Sequence, residues 1–235
     1  TYAWTNETQG TSLGTTSTLV LTSATASPGD TIRCTANASD TDGGTTSKSE
    51  DRTLENRAPA MTSVSISPST GVVNDSTLTC TGSATDADGG TPALTYAWNV
   101  VGSTTILSTT DTLTLTSALV QPADQVRCVI TATDVEGDTD QADAIVDIEN
   151  RVPTISAVVI SPATGVKTKT ALTCAVTASD ADGTTPSVST KWTTDSGTIL
   201  AFGTSVTLTP GTVQPGDEVY CIATVTDGDG GTTTD

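Results

Sequence analysis

Apolar residues alternate with polar ones along most of the chain, and the alternation comes in short runs. Between residues 58 and 151 it places Val64 and Ile66 on one face, then Leu78 and Cys80, then Leu94, Tyr96, Trp98 and Val100. Leu113 and Leu115, then Val126, Cys128 and Ile130, then Ala144, Val146 and Ile148 complete the series. Six runs of period two predict six half-buried strands, and no stretch of comparable length repeats its apolar positions at helical spacing. Pro or Gly stands between most runs, so the pattern predicts an all-β chain of short strands joined by turns.

The pattern repeats. Trp4, Trp98 and Trp192 lie 94 residues apart, Cys34 falls on Cys128, and Cys80 falls on Cys174. Glu55-Asn56-Arg57-Ala58-Pro59 returns as Glu149-Asn150-Arg151-Val152-Pro153, and Pro28-Gly29-Asp30 returns as Pro122-Ala123-Asp124 and Pro215-Gly216-Asp217. Fixed offsets of this kind mark a tandem array. Residues 1–57 read as a partial repeat without its first strands, 58–151 as a complete one, and 152–235 as one cut near its last strand. Both ends read as cuts through repeats, and the chain as a window on a longer array.

Composition narrows the chemistry. The 235 residues include 54 threonines and 23 serines but one Phe, three Trp and three Tyr, so each core must rest on few large side chains. β-Branched threonine suits a pleated, half-exposed surface. Lys and Arg number 9 against 27 Asp and Glu, a net charge of -18. That excess repels phosphate backbones and anionic lipid, so neither nucleic-acid binding nor direct membrane insertion is expected. No apolar run approaches a membrane span of ~20 residues. There is no histidine, and the lysines at 48, 167, 169 and 191 do not recur with the repeat. No nucleophile has a base beside it in every unit, and the chain is not expected to be an enzyme.

Cys80 and Cys128 are 48 residues apart, Cys174 and Cys221 are 47 apart, and each pair has a tryptophan 18 residues after its first cysteine. With Tyr96-Ala97-Trp98, the Pro215-Gly216-Asp217-Glu218-Val219-Tyr220-Cys221 approach, the Thr226-Asp227-Gly228-Asp229-Gly230 turn and the Asn56-Arg57-Ala58-Pro59 linker, the chain resembles immunoglobulin-like, cadherin-like or PKD-like repeats of large microbial surface proteins. The resemblance implies tandem β-sandwiches, each with an inter-sheet disulfide packed on a buried indole. A disulfide closing so long a loop would contribute roughly 4 kcal/mol. Reduced core cysteines are the alternative, as a free thiol is for Cys34. The position two residues before the second cysteine holds Ile32, Val126 and Val219 instead of a corner tyrosine, so antigen-receptor function is not implied.

Acidic turns recur as well. Asp86-Ala87-Asp88-Gly89 and Asp180-Ala181-Asp182-Gly183 precede the tryptophans; Asp40-Thr41-Asp42-Gly43, Asp134-Val135-Glu136-Gly137-Asp138 and Asp227-Gly228-Asp229-Gly230 follow the second cysteines. In the implied topology both kinds of turn share the end at which the chain enters from the previous repeat. Glu55 and Asn56 should then lie near Asp86, Asp88, Asp134, Glu136 and Asp138, and Glu149 and Asn150 near Asp180, Asp182, Asp227 and Asp229. Two readings stand. So many carboxylates call for a cation; Ca2+ accepts hard oxygen ligands in flexible geometry, and the cadherin-like resemblance implies it at the junctions. Alternatively, Asp-x-Asp-Gly simply makes good turns. No EF-hand fits, because Ala97 and Lys191 occupy the twelfth positions.

The sequons at Asn6, Asn37 and Asn74 could carry glycan in a host with the machinery, or arise by chance in so hydroxyl-rich a chain. The combined expectation is an extracellular stalk, filament or surface-appendage segment, whose partners are further copies of the same repeat or protein. The alternative is an adhesin recognising a surface glycan or protein.

Overall fold

The computed structural model describes residues 1–235, all of it strand, turn and irregular chain without a helix. Contacts divide it into two compact units. One comprises Thr1–Ser67, Leu78–Leu113 and Val126–Ile145, the other Pro68–Thr77, Thr114–Gln125 and Val146–Asp235.

The first repeat is a single antiparallel sheet. Its strands are β1 (Tyr2–Asn6), β2 (Thr11–Gly14), β3 (Thr31–Ser39) and β4 (Thr45–Thr53), in the order β2-β1-β3-β4. Trp4 on β1 and Cys34 on β3 are half-buried, and Cys34 is free.

The middle repeat contributes β5 (Ala60–Ser67), β6 (Thr77–Thr85), β7 (Ala93–Val100), β8 (Thr112–Thr114), β9 (Gln125–Thr133) and β10 (Thr139–Asp147). They form two sheets, β5-β6-β8 and β10-β9-β7. All six alternating runs are strands, although Leu115 lies beyond the three-residue β8 and Ile148 just beyond β10. Outside these strands Trp98 makes an isolated bridge to Ser108. The Cys80–Cys128 disulfide joins the two sheets across a Cα–Cα distance of 6.4 Å.

The third repeat uses β11 (Thr154–Ser161), β12 (Ala171–Ser179), β13 (Ser187–Thr194), β14 (Ile199–Phe202), β15 (Ser205–Thr207), β16 (Val219–Thr226) and β17 (Thr232–Thr234). Its sheets are β11-β12-β15 and β14-β13-β16-β17, joined by Cys174–Cys221. The chain is therefore all-β, with antiparallel sheets clipped in pairs by inter-sheet disulfides.

Trp98 and Trp192 are fully buried, each opposite the second cysteine of its repeat in the strand register. A buried indole N–H needs an acceptor. Trp98 Nε1 donates to Thr110 O at 2.9 Å, Trp192 Nε1 to Gly203 O at 3.0 Å, and Trp4 Nε1 to Thr16 O at 2.9 Å.

Packing at Gly82 is tight enough to couple positions across sheets. A Cβ on Gly82 would lie 2.6 Å from Ile130 Cδ1 and 2.8 Å from Ser63 O. In the third repeat the corresponding pair is Val176 and Ala223, so the larger side chain has moved to the other sheet. Overpacking a filled core costs ~1–3 kcal/mol. We expect Gly82→Val to destabilise the chain by about 2 kcal/mol or more in denaturant unfolding, and Gly82→Val with Ile130→Ala to recover part of that loss. Additive losses from the two substitutions would show that these positions do not share space.

Candidate functional site

Two kinds of acidic turn converge on each linker, and their aspartates divide the work. In the turn between β6 and β7, Asp86 Oδ1 accepts from Asp88 N at 2.8 Å and so builds the turn. Asp88 is thereby aimed at the linker. One of its oxygens accepts from Arg57 N at 2.6 Å and the other from Arg57 Nε at 2.8 Å, while Arg57 Nη2 also donates to Ala87 O at 2.9 Å. A carboxylate thus grips the backbone and the guanidinium of one residue together, the strong charge-assisted arrangement.

In the turn between β9 and β10 a single aspartate does both jobs. Asp134 Oδ1 accepts from Gly137 N at 2.7 Å and Asp138 N at 2.8 Å. Asp134 Oδ2 accepts from Asn56 Nδ2 at 2.8 Å, and Asp138 Oδ2 accepts from the same amide at 2.8 Å.

The second joint repeats this clamp. Asp180 Oδ1 accepts from Asp182 N at 2.8 Å, and Asp182 accepts from Arg151 N at 2.6 Å and Nε at 2.8 Å. Asp227 Oδ1 accepts from Asp229 N at 2.9 Å and Gly231 N at 2.7 Å, and its Oδ2 from Asn150 Nδ2 at 3.0 Å. Here the preceding repeat adds Asn74 and Asp75. Arg151 Nη2 donates to Asn74 Oδ1 at 2.7 Å, Arg151 Nη1 to Asp75 Oδ2 at 2.8 Å, and Asn74 Nδ2 to Asp182 O at 2.8 Å. The joint is correspondingly drier: the Arg151 side chain is 28% exposed and Asp182 0%, against 64% for Arg57 and 13% for Asp88.

The turn glycines belong to the joint too. Gly89 and Gly183 adopt positive φ, 100° and 92°, and a Cβ there would stand 3.0 Å from Ser23 Cβ and 3.1 Å from Ser117 Cβ of the preceding repeat. The backbone must turn left-handed and pass close to its neighbour, which glycine alone does cheaply.

Of the acidic residues expected at the joints, Asp88, Asp134, Asp138, Asp182 and Asp227 reach linker side chains, and Asp86 and Asp180 hold the turns. Glu55, Glu136 and Asp229 offer their carboxylates to no hydrogen bond, and Glu149 is spent on Gly71 N at 2.7 Å. The residues absent from that expectation are Arg57 and Arg151, although they recur within the linker motif, and Asn74, whose sequon was its only visible signal. Asn74 is 1% exposed and Asn6 0% exposed, so neither sequon nitrogen is open to a glycan.

The charge balance follows from these bonds. The Arg57 side-chain hydrogen bond holds the Asp88 carboxyl below the ordinary carboxylate value. Hydrogen bonds from Asn56 and Asn150, followed by those from backbone N–H groups, outweigh burial and do the same for Asp134 and Asp227. No group of three or more carboxylate or cysteine side chains converges in a metal-holding arrangement. No helix is long and apolar enough to cross a membrane.

Neither any known protein family nor any curated protein sequence matches the chain. Among solved structures it is similar to the three N-terminal domains of the highly immunogenic outer capsid protein of bacteriophage RB49 (17% identity, 100% of this chain, 85% of that one, TM-score 0.33). It is similar to a tetra-tandem repeat from the extending region of a large adhesion protein (19% identity, 100% of this chain, 64% of that one, TM-score 0.33). A third is a Ca2+-stabilised adhesin that helps an Antarctic bacterium reach out and bind ice (17% identity, 87% of this chain, 55% of that one, TM-score 0.27). Likeness of this size assigns no function, and the chain spans less than two thirds of either adhesin chain.

Two outcomes are expected. Asn74→Ala removes a buried amide that bonds Asp182 O and Arg151, which should cost about 2 kcal/mol in denaturant unfolding; an unchanged midpoint would show the contact to be idle. The second concerns acid. Carboxyls held below their ordinary value of 3.8 stabilise the fold fully above that value, and the contribution is lost as pH falls through their folded-state value. The stability gap between the native chain and Asn56→Ala should therefore be constant from pH 7 to 5 and shrink below about pH 4. A gap independent of pH would remove Asn56 from the control of Asp134.

Proposed function

We propose that the chain is a segment of an extracellular spacer, a stalk or filament of tandem immunoglobulin-like repeats divided near residues 57 and 151. One observation carries the reading: the same Asn-Arg linker is gripped by the same two turns at both joints. A spacer must hold each repeat to the next, and here the holding contacts recur with the repeat itself. Disulfides support an oxidising, extracellular setting. The partners would be further copies of the same repeat, each supplying a linker to the turns of the next.

A calcium-stiffened form of this spacer is favoured by a second observation. Asn56 Oδ1 and Asn150 Oδ1 are buried without any hydrogen-bond donor. Each amide now turns its nitrogen to the carboxylates, and turning it over would bring the orphaned oxygen beside them, a donor set of the kind calcium takes. Asn56, Asp134 and Asp138 would serve at the first joint, and Asn150 and Asp227 at the second, while Asp88 and Asp182 stay with arginine. When bound, the ion supplies positive charge on the asparagine side of the linker.

Single-molecule extension tests the spacer. Oxidised, the two clipped repeats should withhold the chain inside their disulfide loops. Reduction should add about 160 Å of contour for each 48- or 47-residue loop. Equal contour lengths in both conditions would contradict a stapled spacer. The same measurement in millimolar calcium or chelator separates the two forms: the metal form predicts higher unfolding forces in calcium, and unchanged forces leave the arginine clamp acting alone.

A further inference from the structure

Five aspartates stand directly before a glycine, namely Asp42, Asp88, Asp182, Asp227 and Asp229, and no asparagine does. In such a pair the backbone attacks its own side chain most readily, because glycine has no Cβ to hinder the nitrogen that follows the carboxyl.

Three of the pairs sit in turns of the same build. Gly43 N, Gly89 N and Gly183 N donate to the carbonyls of Asp40, Asp86 and Asp180 at 3.4, 3.3 and 3.4 Å. Asp42 N, Asp88 N and Asp182 N donate to Oδ1 of the same three aspartates at 3.1, 2.8 and 2.8 Å. The three glycines share a left-handed backbone, with φ of 88°, 100° and 92°. The nitrogens are held alike, so the carboxyls alone distinguish these pairs. Asp88 is closed on the backbone and guanidinium of Arg57, and Asp182 on those of Arg151. The Asp42 carboxylate is exposed and accepts no hydrogen bond. That freedom belongs to the position, since its counterpart Asp229 is exposed as well, although Asn150 of the linker is bonded to the same turn. At Asp229, however, the N–H of Gly230 faces the Asp227 carboxylate, which is itself tied to Asn150 and to the turn.

We propose that Asp42 is a site of self-modification to isoaspartate, and that the linker arginines protect Asp88 and Asp182 from the same reaction. Gly43 N attacks Asp42 Cγ. The new C–N bond forms as the carboxyl C–O bond breaks, and the hydroxyl leaves with the amide hydrogen as water. Water then opens the five-membered imide. Opening at the main-chain carbonyl leaves the backbone running through the side-chain carboxyl, one carbon longer and unchanged in mass. The step needs a protonated carboxyl free to swing onto the next nitrogen. A two-point hold denies that swing to Asp88 and Asp182, and the Arg57 hydrogen bond favours the ionised form of Asp88. In the middle repeat the residue corresponding to Asp42 is Glu136, whose extra methylene would require a six-membered ring. A lengthened backbone at Asp88 would carry its carboxylate off Arg57, so the arginine preserves the turn that grips it. The protection rests on the arginine clamp and not on the spacer role.

The test is to age the intact chain at mildly acidic pH, digest it, and map isoaspartate by fragment-ion mass spectrometry. Asp42 should convert roughly tenfold or more faster than Asp88 and Asp182, as the protonated share of a held carboxyl falls tenfold for each 1.36 kcal/mol of hold. In the reduced chain kept in urea the three should convert at rates within about threefold of one another, because the dipeptide is the same. Arg57→Ala should speed Asp88 by about fivefold or more and leave Asp42 unchanged; the Asp42 rate and the unfolding midpoint together show that the variant is folded. Three results would each overturn the proposal: rates at Asp88 and Asp182 within about twofold of Asp42 in the folded chain, no isoaspartate at Asp42 by the time the unfolded chain has converted, or an Asp88 rate indifferent to the loss of Arg57.

Discussion

Every joint depends on one ionic contact, the carboxylate of Asp88 or Asp182 closing on both the backbone N–H and the guanidinium of the linker arginine. In a chain of net charge -18 the acidic turns would otherwise push the linker away. The arginine supplies the opposing charge from within the chain, and its planar fork matches the carboxylate in a way a lysine would not. An exposed pair of this sort contributes little. At the second joint, however, Asp182 is fully buried and the guanidinium is also held by Asn74 and Asp75, so the contact is part of a satisfied network.

The cores explain why so much is asked of polar contacts. With seven aromatic residues in 235, a repeat has one tryptophan at its centre and little else of comparable size. In the middle and third repeats the disulfide lies in the strand next to that indole and ties the sheets together. Thin cores also leave room for compensation, as at Gly82 with Ile130 and Val176 with Ala223, where volume passes from one sheet to the other.

The strands were legible because each buries one face and therefore alternates; β8, β15 and β17 are the shortest, at three residues each. The repeat offsets marked out the linkers and acidic turns as recurring segments. What periodicity did not carry was the partner of each carboxylate. Counting acids suggested an external cation, while Arg57 and Arg151 stood in the same linker motif and were passed over. Glu149 resembles a joint residue by position, yet its carboxylate goes to Gly71. Asn74 looked like a surface sequon because three residues of sequence say nothing about burial. Long-range partners, 31 residues apart for Arg57 and Asp88 and 108 for Asn74 and Asp182, are set by folding and leave no local signature.

The central claim is that the linker is clamped by its own arginine. It is tested most directly by amide hydrogen exchange at Arg57 and Arg151 in the intact chain without added metal. Both N–H groups point into a carboxylate, so both should exchange orders of magnitude more slowly than the exposed amides of neighbouring turns, with Arg151 the slower. Exchange at the rate of an unstructured peptide at either position would mean that the joint is a free hinge and that the acidic turns do not hold it.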